Sequence, residues 1–196
     1  MKDYLSWVAH RRDGQGFVPN SDLPAAWKRL AIEPYSRGVL ACSPNALLGS
    51  LWLEVWAWSV LHENRAQLGI DDVRWGVTVH RPGGQGAETD LDVAFSSENR
   101  LHFISCKAAA ADGLQDEVFE VEARRRPIGG AFAAGMLAHW HPPAGAAGGD
   151  ADKCVRRAER AAQYLAVPVR LFDRSHLMDE AKFVADVRAA IAPRRD

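Results

Sequence analysis

The segment that most constrains the fold is an apolar hairpin near the middle of the chain. Its first half is Glu88–Phe95, with the sequence ETDLDVAF, and its second half, after a short polar turn, is Leu101–Lys107, LHFISCK. Because side chains alternate along a β-strand, Asp90 and Asp92 point to one side of the first strand, while Lys107 ends the second. The pattern predicts two adjacent strands that bring Asp92 and Lys107 within reach of a common ligand.

A carboxylate and a lysine at the end of such a hairpin suit metal-dependent hydrolysis of phosphodiester bonds. The carboxylate can hold a divalent cation, and the lysine can orient or activate the attacking water. The same two residue types also occur in many sheets as a solvated cross-strand pair, worth roughly a few tenths of a kcal/mol. The hairpin alone leaves both interpretations open.

A second carboxylate interrupts a strongly apolar helix, which is predicted from Leu47 to about Gln67. Between residues 51 and 61, the only polar side chains apart from tryptophan are Glu54 and Ser59. A helix that is apolar on nearly all sides is a central one, so Glu54 is expected to be buried or to line a cleft. A lone buried carboxylate is costly unless a cation or hydrogen-bond donors offset its charge. Glu54 therefore requires a partner, which either a salt bridge or a metal ion would supply.

The order of the predicted elements indicates an α/β sandwich with a mixed sheet. Strands are predicted on both sides of the hairpin and helices after it: strands at 73–80, 131–140 and 167–172, and helices at 114–126, 152–165 and 178–191. Residues 1–45, which proline and glycine interrupt, are predicted to form an accessory helical segment. Residues 46–196 are predicted to form the main domain.

Charge and cysteine content narrow the functional classes. A formal net charge of −1 gives no global positive field, so affinity for nucleic acid has to come from a local patch. Three widely spaced cysteines fit a reduced cytoplasmic protein, and no apolar run reaches the roughly 18 residues that a membrane span needs. Dinucleotide, nucleotide-triphosphate and serine-hydrolase motifs do not occur in the sequence. The candidate nucleic-acid contacts, with a solvated helix face as the alternative, are Arg124, Arg125 and Arg126, and a second cluster at Arg156, Arg157 and Arg160.

Four segments carry a family resemblance: Gly49–Glu54 (GSLWLE), Thr89–Val93 (TDLDV), Asn99–Lys107 (NRLHFISCK) and Arg124–Gly130 (RRRPIGG). In this order they resemble the PD-(D/E)xK, restriction-endonuclease-like nucleases, and more narrowly the nuclease domain of the cyclic-oligoadenylate-activated CRISPR ancillary nucleases. The resemblance covers about residues 45–192. It implies a three-layer sandwich with a central mixed β-sheet flanked by helices. It also implies a Mg²⁺- or Mn²⁺-dependent endonuclease that acts on DNA or RNA in antiviral defence.

The resemblance assigns a role to each matched residue. Glu54 would be the helix acid that faces the metal, Asp92 the main metal ligand, and Lys107 the lysine beside the attacking water. Asp90 lies where the family often has another acid, which makes it an additional candidate ligand.

One departure from the family pattern lies within the predicted site, where Ser105 replaces the acid two residues before the lysine. A hydroxyl is a poor substitute for a carboxylate in binding a hard cation. Some related restriction enzymes with Ser-x-Lys draw a glutamate from the following helix, which here offers Glu117, Glu120 and Glu122. Glu120 is favoured slightly over Glu122, and an exposed helix acid is the alternative for either residue.

The second departure is that residues 1–45 are not expected to form the cyclic-nucleotide sensor domain of the family. A separate sensor or activator protein is therefore a candidate partner. A homodimer is also expected, because cutting both strands of a duplex needs two active sites. The alternative function, favoured by Ser105, is a catalytically inactive nuclease fold that serves as a nucleic-acid-binding or regulatory subunit.

Overall fold

A computed structural model describes residues 51–80, 89–108, 111–146, 148–166 and 168–192. The chain divides into two compact units, Met1–Trp52 and Leu53–Asp196, and almost all described residues belong to the second. The predicted accessory segment at residues 1–45 lies outside the described residues, so that domain boundary stays a prediction. No helix in the described ranges is long and apolar enough to span a membrane.

The described elements alternate as the sequence predicts. The helices are α1 (Trp52–Glu63), α2 (Arg65–Leu68), α3 (Leu114–Gly129), α4 (Gly149–Tyr164), α5 (Arg174–Leu177) and α6 (Glu180–Ile191). The strands are β1 (Asp72–Val79), β2 (Thr89–Ser97), β3 (Arg100–Lys107), β4 (Gly135–His139) and β5 (Arg170–Phe172).

Within the described residues, the strands form one five-stranded sheet in the order β1-β2-β3-β4-β5. The first three strands are antiparallel, and β3, β4 and β5 are parallel, so the predicted mixed sheet is confirmed. The hairpin between β2 and β3 closes through Glu98 and Asn99, which both have positive φ angles, 50° and 60°. A two-residue turn with this backbone matches the right-handed twist of the flanking strands.

Helices cover both faces of the sheet. On one face, Phe103 of β3 belongs to a buried cluster with apolar residues of α3 and α4, and the partly buried Leu171 of β5 packs against this cluster. On the other face, Phe183 of α6 packs edge-on against Trp56 of α1 and against Phe172 of β5, with ring centroids 4.9 and 4.8 Å apart. Because the neighbours Leu171 and Phe172 point to opposite faces, these contacts define three layers. The predicted sandwich is confirmed.

Helix α3 lies very close to the sheet. A Cβ atom added at Gly135, the first residue of β4, would lie 2.7 Å from Cγ1 of Val121, so only glycine permits this approach. The close packing holds α3 firmly beside the end of β3, where the candidate site lies.

The last predicted helix, at 178–191, is α6 in the structure, and a short helix that was not predicted, α5, precedes it. The Asp173 carboxylate accepts hydrogen bonds from the backbone N–H groups of Ser175 and His176 and caps α5. Asp179 accepts from the backbone N–H of Lys182 and caps α6. Two aspartate N-caps in close succession start two helices, where apolar periodicity alone predicts one.

Candidate active site

The two central strands separate at the point where the predicted site residues lie. The ladder between β2 and β3 stops at the pair Val93–Ile104. Beyond this pair, β2 remains bonded to β1 as far as Thr89, and β3 remains bonded to β4 as far as Lys107. Asp92 is therefore the first residue of β2 in the gap between the strands.

Asp92 bridges this gap with its side chain. Its Oδ2 accepts a hydrogen bond from the backbone N–H of Cys106 at 2.6 Å and another from the hydroxyl of Ser105 at 3.2 Å. The carboxylate thus satisfies a backbone donor that the separated ladder leaves without a strand partner. Both contacts use Oδ2, so the described residues leave Oδ1 available to a ligand.

The surroundings of Asp92 disfavour the ionised form of its carboxyl group. Burial raises the pKa of this carboxyl above its ordinary value, and the Glu117 charge raises it further. The donors at Cys106 and Ser105 and the charge of Arg124 lower the pKa without cancelling the effect of burial. An ionised Asp92 therefore carries charge that its surroundings compensate only in part.

Glu54, in the first turn of α1, is the second carboxylate of the site. Its Oε2 accepts a hydrogen bond from the indole Nε1 of Trp75, on β1, at 2.9 Å. Burial raises the pKa of Glu54 to about 6; the Trp75 hydrogen bond opposes this shift and the nearby Asp92 adds to it. Among the described residues, the partner of Glu54 is thus a neutral indole and not the cation that a salt bridge would require.

The remaining two residues of the candidate site are Lys107, on the sheet, and Glu117, on helix α3. The ammonium of Lys107, at the end of β3, forms an ion pair with Oε1 of Glu117, from the first turn of α3. The Cys106 thiol lies between the layers: burial raises its pKa, and the charges of Asp92 and Glu54 raise it further. Three carboxylates and one lysine are therefore linked by charge, with Asp92 interacting with both Glu54 and Glu117.

The acid that α3 contributes is Glu117, whereas the sequence favours Glu120 or Glu122. Glu120 is exposed and accepts a hydrogen bond from Arg124 at 2.8 Å. Glu122 is buried, and its two oxygens accept from Arg125 at 2.7 and 2.9 Å. Glu120 and Glu122 therefore both bond to arginines of their own helix, whereas Glu117 bonds to Lys107.

The predicted nucleic-acid contact at Arg125 is wrong. Only 4% of this residue is exposed, and its guanidinium bonds to Glu122 and to the carbonyl oxygen of Gly130. A buried, fully paired guanidinium cannot reach a phosphate, so Arg125 is a structural residue. The side chain of Arg126 is 70% exposed, and that of Arg124 is 30% exposed, so these two keep access to solvent.

Asp90 lies away from the other acids along β2. It is exposed, and its Oδ1 accepts a hydrogen bond from the hydroxyl of Thr78, its cross-strand neighbour on β1, at 2.8 Å. No described contact joins Asp90 to Asp92 or Lys107. In the structure this predicted metal ligand therefore bonds to a neighbouring strand at the exposed surface of the sheet.

Sequence reasoning missed Trp75 and Gly76 of β1. The register Trp75–Val93 and Val77–Leu91 puts Gly76 opposite Asp92, and Gly76 has a φ of 63°. A glycine inside a strand pattern signals a bulge or a close approach, so Trp75-Gly76 was a readable sign of an irregular strand here.

The donor set fits a hard divalent cation. Among the described residues, no three His, Cys, Asp or Glu side chains form a ready-made metal cluster. Mg²⁺, however, usually takes only one or two carboxylates and keeps water and substrate phosphate as its other ligands. Glu54 and Asp92 supply two such carboxylates, and burial raises the pKa of each by disfavouring its ionised form, a cost that a bound cation would offset.

This fold and site define a nuclease domain of the PD-(D/E)xK type. Residues 44–145, just over half of the chain, match the family of the Card1-like endonuclease domain. The chain therefore belongs to the Card1-like endonuclease family. No curated protein sequence matches it.

Three solved structures share the fold. The protein VC1899 from Vibrio cholerae is 19% identical with a TM-score of 0.61, and the match covers 98% of this chain and 52% of that protein. Can2 from Sulfobacillus thermosulfidooxidans, solved with cyclic tetra-adenylate, is 19% identical with a TM-score of 0.52, and the match covers 74% of this chain and 38% of Can2. A type III CRISPR defence DNA nuclease activated by cyclic oligoadenylate is 22% identical with a TM-score of 0.51, and the match covers 99% of this chain and 27% of that nuclease. The chain thus spans about half or less of the length of these proteins.

Proposed function

We propose that the chain is a Mg²⁺- or Mn²⁺-dependent endonuclease that hydrolyses phosphodiester bonds of DNA or RNA. The observation that supports this proposal is a linked group of charges: Asp92 interacts electrostatically with both Glu54 and Glu117, and Glu117 forms an ion pair with Lys107. Membership of the endonuclease family supports the same reaction class.

The two carboxylates would hold the cation, which when bound polarises a phosphate and acidifies water. Each of them is already oriented by a donor on one oxygen: Cys106 and Ser105 bond to Oδ2 of Asp92, and Trp75 bonds to Oε2 of Glu54. Such pre-orientation lowers the cost of assembling the site when substrate arrives.

Lys107 would act on the attacking water and on the phosphate. Hydrolysis forms one P–O bond from water and breaks another, and negative charge builds on the phosphate oxygens in the transition state. An ammonium held at the end of β3 by Glu117 can donate to the attacking oxygen and stabilise this charge. In this proposal Ser105 acts by orienting Asp92, and Glu117 supplies the third negative charge of the site.

The proposal is tested by cleavage of plasmid and single-stranded substrates with Mg²⁺, with Mn²⁺ and with EDTA. We expect cleavage that requires metal and that falls by more than about 100-fold in Asp92→Asn, since even outer-shell partners cost up to that factor. Lys107→Met should lose comparable activity. The matched controls are Asp116→Asn, an exposed acid of α3, and Lys153→Met, whose surface pair with Asp150 lies on α4. Metal-dependent cleavage that survives in Asp92→Asn would refute the assignment.

A second candidate is a catalytically inactive nuclease fold that binds nucleic acid or regulates a partner. Two observations favour it: Ser105 is neutral, and the described residues contain no ready-made cluster of three metal ligands. Metal titration distinguishes the two functions. No Mn²⁺ binding, no cleavage, and no gain of activity in Ser105→Glu would select this alternative.

A role in CRISPR-associated defence and a cyclic-oligoadenylate-responsive partner are further proposals. They rest on two similar structures, of which one contains cyclic tetra-adenylate and the other is of a nuclease activated by cyclic oligoadenylate. We propose that a sensor or activator outside the described domain controls cleavage, and that two copies of the domain act together.

A further inference from the structure

Trp75 is an exposed aromatic side chain in direct contact with the candidate site. It lies on β1, and 42% of its surface is exposed. The adjacent residue, Gly76, is opposite Asp92 in the strand pair, and the indole itself bonds to Glu54. The indole of Trp75 thus adjoins the Glu54 carboxylate, on the strand that pairs with the Asp92 strand.

The indole N–H orients Glu54. Indole has one N–H donor, and it is used on Oε2 of Glu54 at 2.9 Å. Within the described residues, Glu54 accepts this hydrogen bond on Oε2, and Oε1 remains available to another ligand. Without the donor, a partly buried carboxylate would lose the contact that offsets its desolvation and fixes its rotamer.

The indole ring has a separate property, which is its open apolar surface. Among the described residues, no other aromatic ring stacks on Trp75 and no guanidinium lies over it. Stacking of an unpaired base on an aromatic ring strengthens binding by about five- to a hundredfold and tolerates any base. A ring next to a carboxylate that would hold the cation is placed to receive a base of the strand being cut.

We propose that Trp75 has two separable roles in the proposed nuclease reaction, on which this inference depends. Its N–H positions Glu54 for the cation, and its ring stacks on an unpaired base next to the scissile phosphate. The first role depends on a donor, and the second depends on an aromatic face.

Two substitutions separate these roles. Trp75→Phe keeps an aromatic face and removes the N–H, whereas Trp75→Leu removes both. The matched control is Phe132→Leu, because Phe132 is 72% exposed and lies under the guanidinium of Arg100, at 5.7 Å. Arg100 and Lys107 are the two ends of β3, which lie about 20 Å apart in an extended strand.

Steady-state cleavage tests the positioning role. Trp75→Phe should lower kcat by about 10- to 100-fold, the range for a lost partner of a metal ligand, with KM within about twofold of wild type. Phe132→Leu should change neither parameter. A Trp75→Phe variant with wild-type kcat would overturn the positioning role.

Binding without turnover tests the stacking role. The probe is a short fluorescein-labelled oligothymidine with Ca²⁺ replacing Mg²⁺, followed by fluorescence anisotropy. We expect Trp75→Leu to raise Kd by about fivefold or more and Trp75→Phe to change it much less. On an abasic strand of the same length, wild type should bind as weakly as Trp75→Leu, and Trp75→Leu should lose nothing further. Equal loss of affinity in both proteins on removal of the bases would overturn the stacking role.

The outcomes also separate this inference from the proposed function. If wild type cleaves, Asp92→Asn does not, and Trp75→Leu matches wild type in both kcat and Kd, the role of Trp75 is wrong and the nuclease assignment stands. If wild type does not cleave, the nuclease assignment itself fails, and if Asp92→Asn still cleaves, the active site does not depend on Asp92. Should Trp75→Leu fail to fold, Trp75→Phe still decides the positioning role, and Trp75→Val, a residue that suits a strand, replaces Trp75→Leu in the binding assay.

Discussion

Two ion pairs on helix α3 differ in how completely their charges are compensated. Glu122 is buried with Arg125 and also accepts from Arg126 at 3.0 Å, and these arginine hydrogen bonds lower the pKa of its carboxyl. One and a half turns earlier, Glu117 forms an ion pair with Lys107. The other acids of the candidate site, Asp92 and Glu54, both have raised pKa values. The charge of Glu122 is thus compensated by arginines of its own helix. The Glu117–Lys107 pair, in contrast, lies among carboxylates whose charge is compensated only in part.

The contrast between the two pairs distinguishes structural from functional carboxylates within one fold. A buried acid with matched donors contributes to the stability of the native state and is costly to disturb. A buried acid that lacks a cation is unfavourable in the isolated protein and becomes favourable when a cation binds.

The largest effect is expected from Glu122→Leu. It leaves the Arg125 guanidinium buried without its carboxylate, which should lower the free energy of unfolding by about 3–5 kcal/mol. Urea denaturation followed by circular dichroism measures this change. Arg124→Leu, which removes a more exposed pair with Glu120, should cost about 1 kcal/mol or less. Equal destabilisation by the two variants would contradict the contrast.

Next in size is the effect of Glu117→Gln on cleavage. It removes the charge that holds Lys107 at the site and should lower kcat by about 10- to 100-fold. Glu120→Gln, three residues along the same helix, should keep activity within about threefold of wild type, because Glu120 contacts Arg124 in place of Lys107. A larger loss in Glu120→Gln than in Glu117→Gln would restore the ligand favoured from the sequence.

The pH dependence of Mn²⁺ affinity should follow the raised pKa of Glu54. A group with a pKa of about 6 is mostly ionised at pH 7 and mostly protonated at pH 5, so protons compete with the cation as the pH falls. One such proton weakens apparent affinity by about tenfold between pH 7 and pH 5. Calorimetric titration tests this, with Glu54→Gln as the variant in which affinity is lower but varies less with pH.

The smallest effect, and one of opposite sign, concerns the stability of Asp92→Asn without metal. The raised pKa of Asp92 means that its ionised form costs folding free energy above that pKa, and this cost is absent at low pH, where the carboxyl is protonated. Asparagine keeps an oxygen acceptor for Cys106 and Ser105 and carries no charge. At pH 7 and without metal, we expect the variant to be more stable by about 1 kcal/mol or less, measured by thermal unfolding. A loss of stability as large as that of Glu122→Leu would show that Asp92 is a structural acid.

Much of the fold was readable from local patterns. Strand alternation around Asp92, the polar turn at Glu98 and Asn99 and the apolar run of α1 are short-range signals, and each led to an element that the structure confirms. The carboxylate-bearing strand and the lysine-ending strand were predicted as neighbours for the same reason, because a tight turn leaves little choice of partner.

The helix acid was not readable in this way. Glu117, Glu120 and Glu122 all follow β3 at similar separations, and only the rotation of α3 about its axis decides which one faces Lys107. Packing of Val118 and Val121 into the sheet, with Gly135 allowing the close approach, sets that rotation. A sequence separation carries no such information.

Local sequence patterns were enough to predict the alternation of strands and helices, the hairpin and the acids at 54 and 92, because these depend on residues a few positions apart. Docking of whole elements, in contrast, separates β2 from β3 at Asp92, brings Trp75 to Glu54 and buries Arg125 against Glu122. Trp75 and Glu54 belong to different layers, and their contact exists only once α1 packs against the sheet. Contacts of this kind depend on how whole elements dock, which is a property of the complete core and not of any one segment.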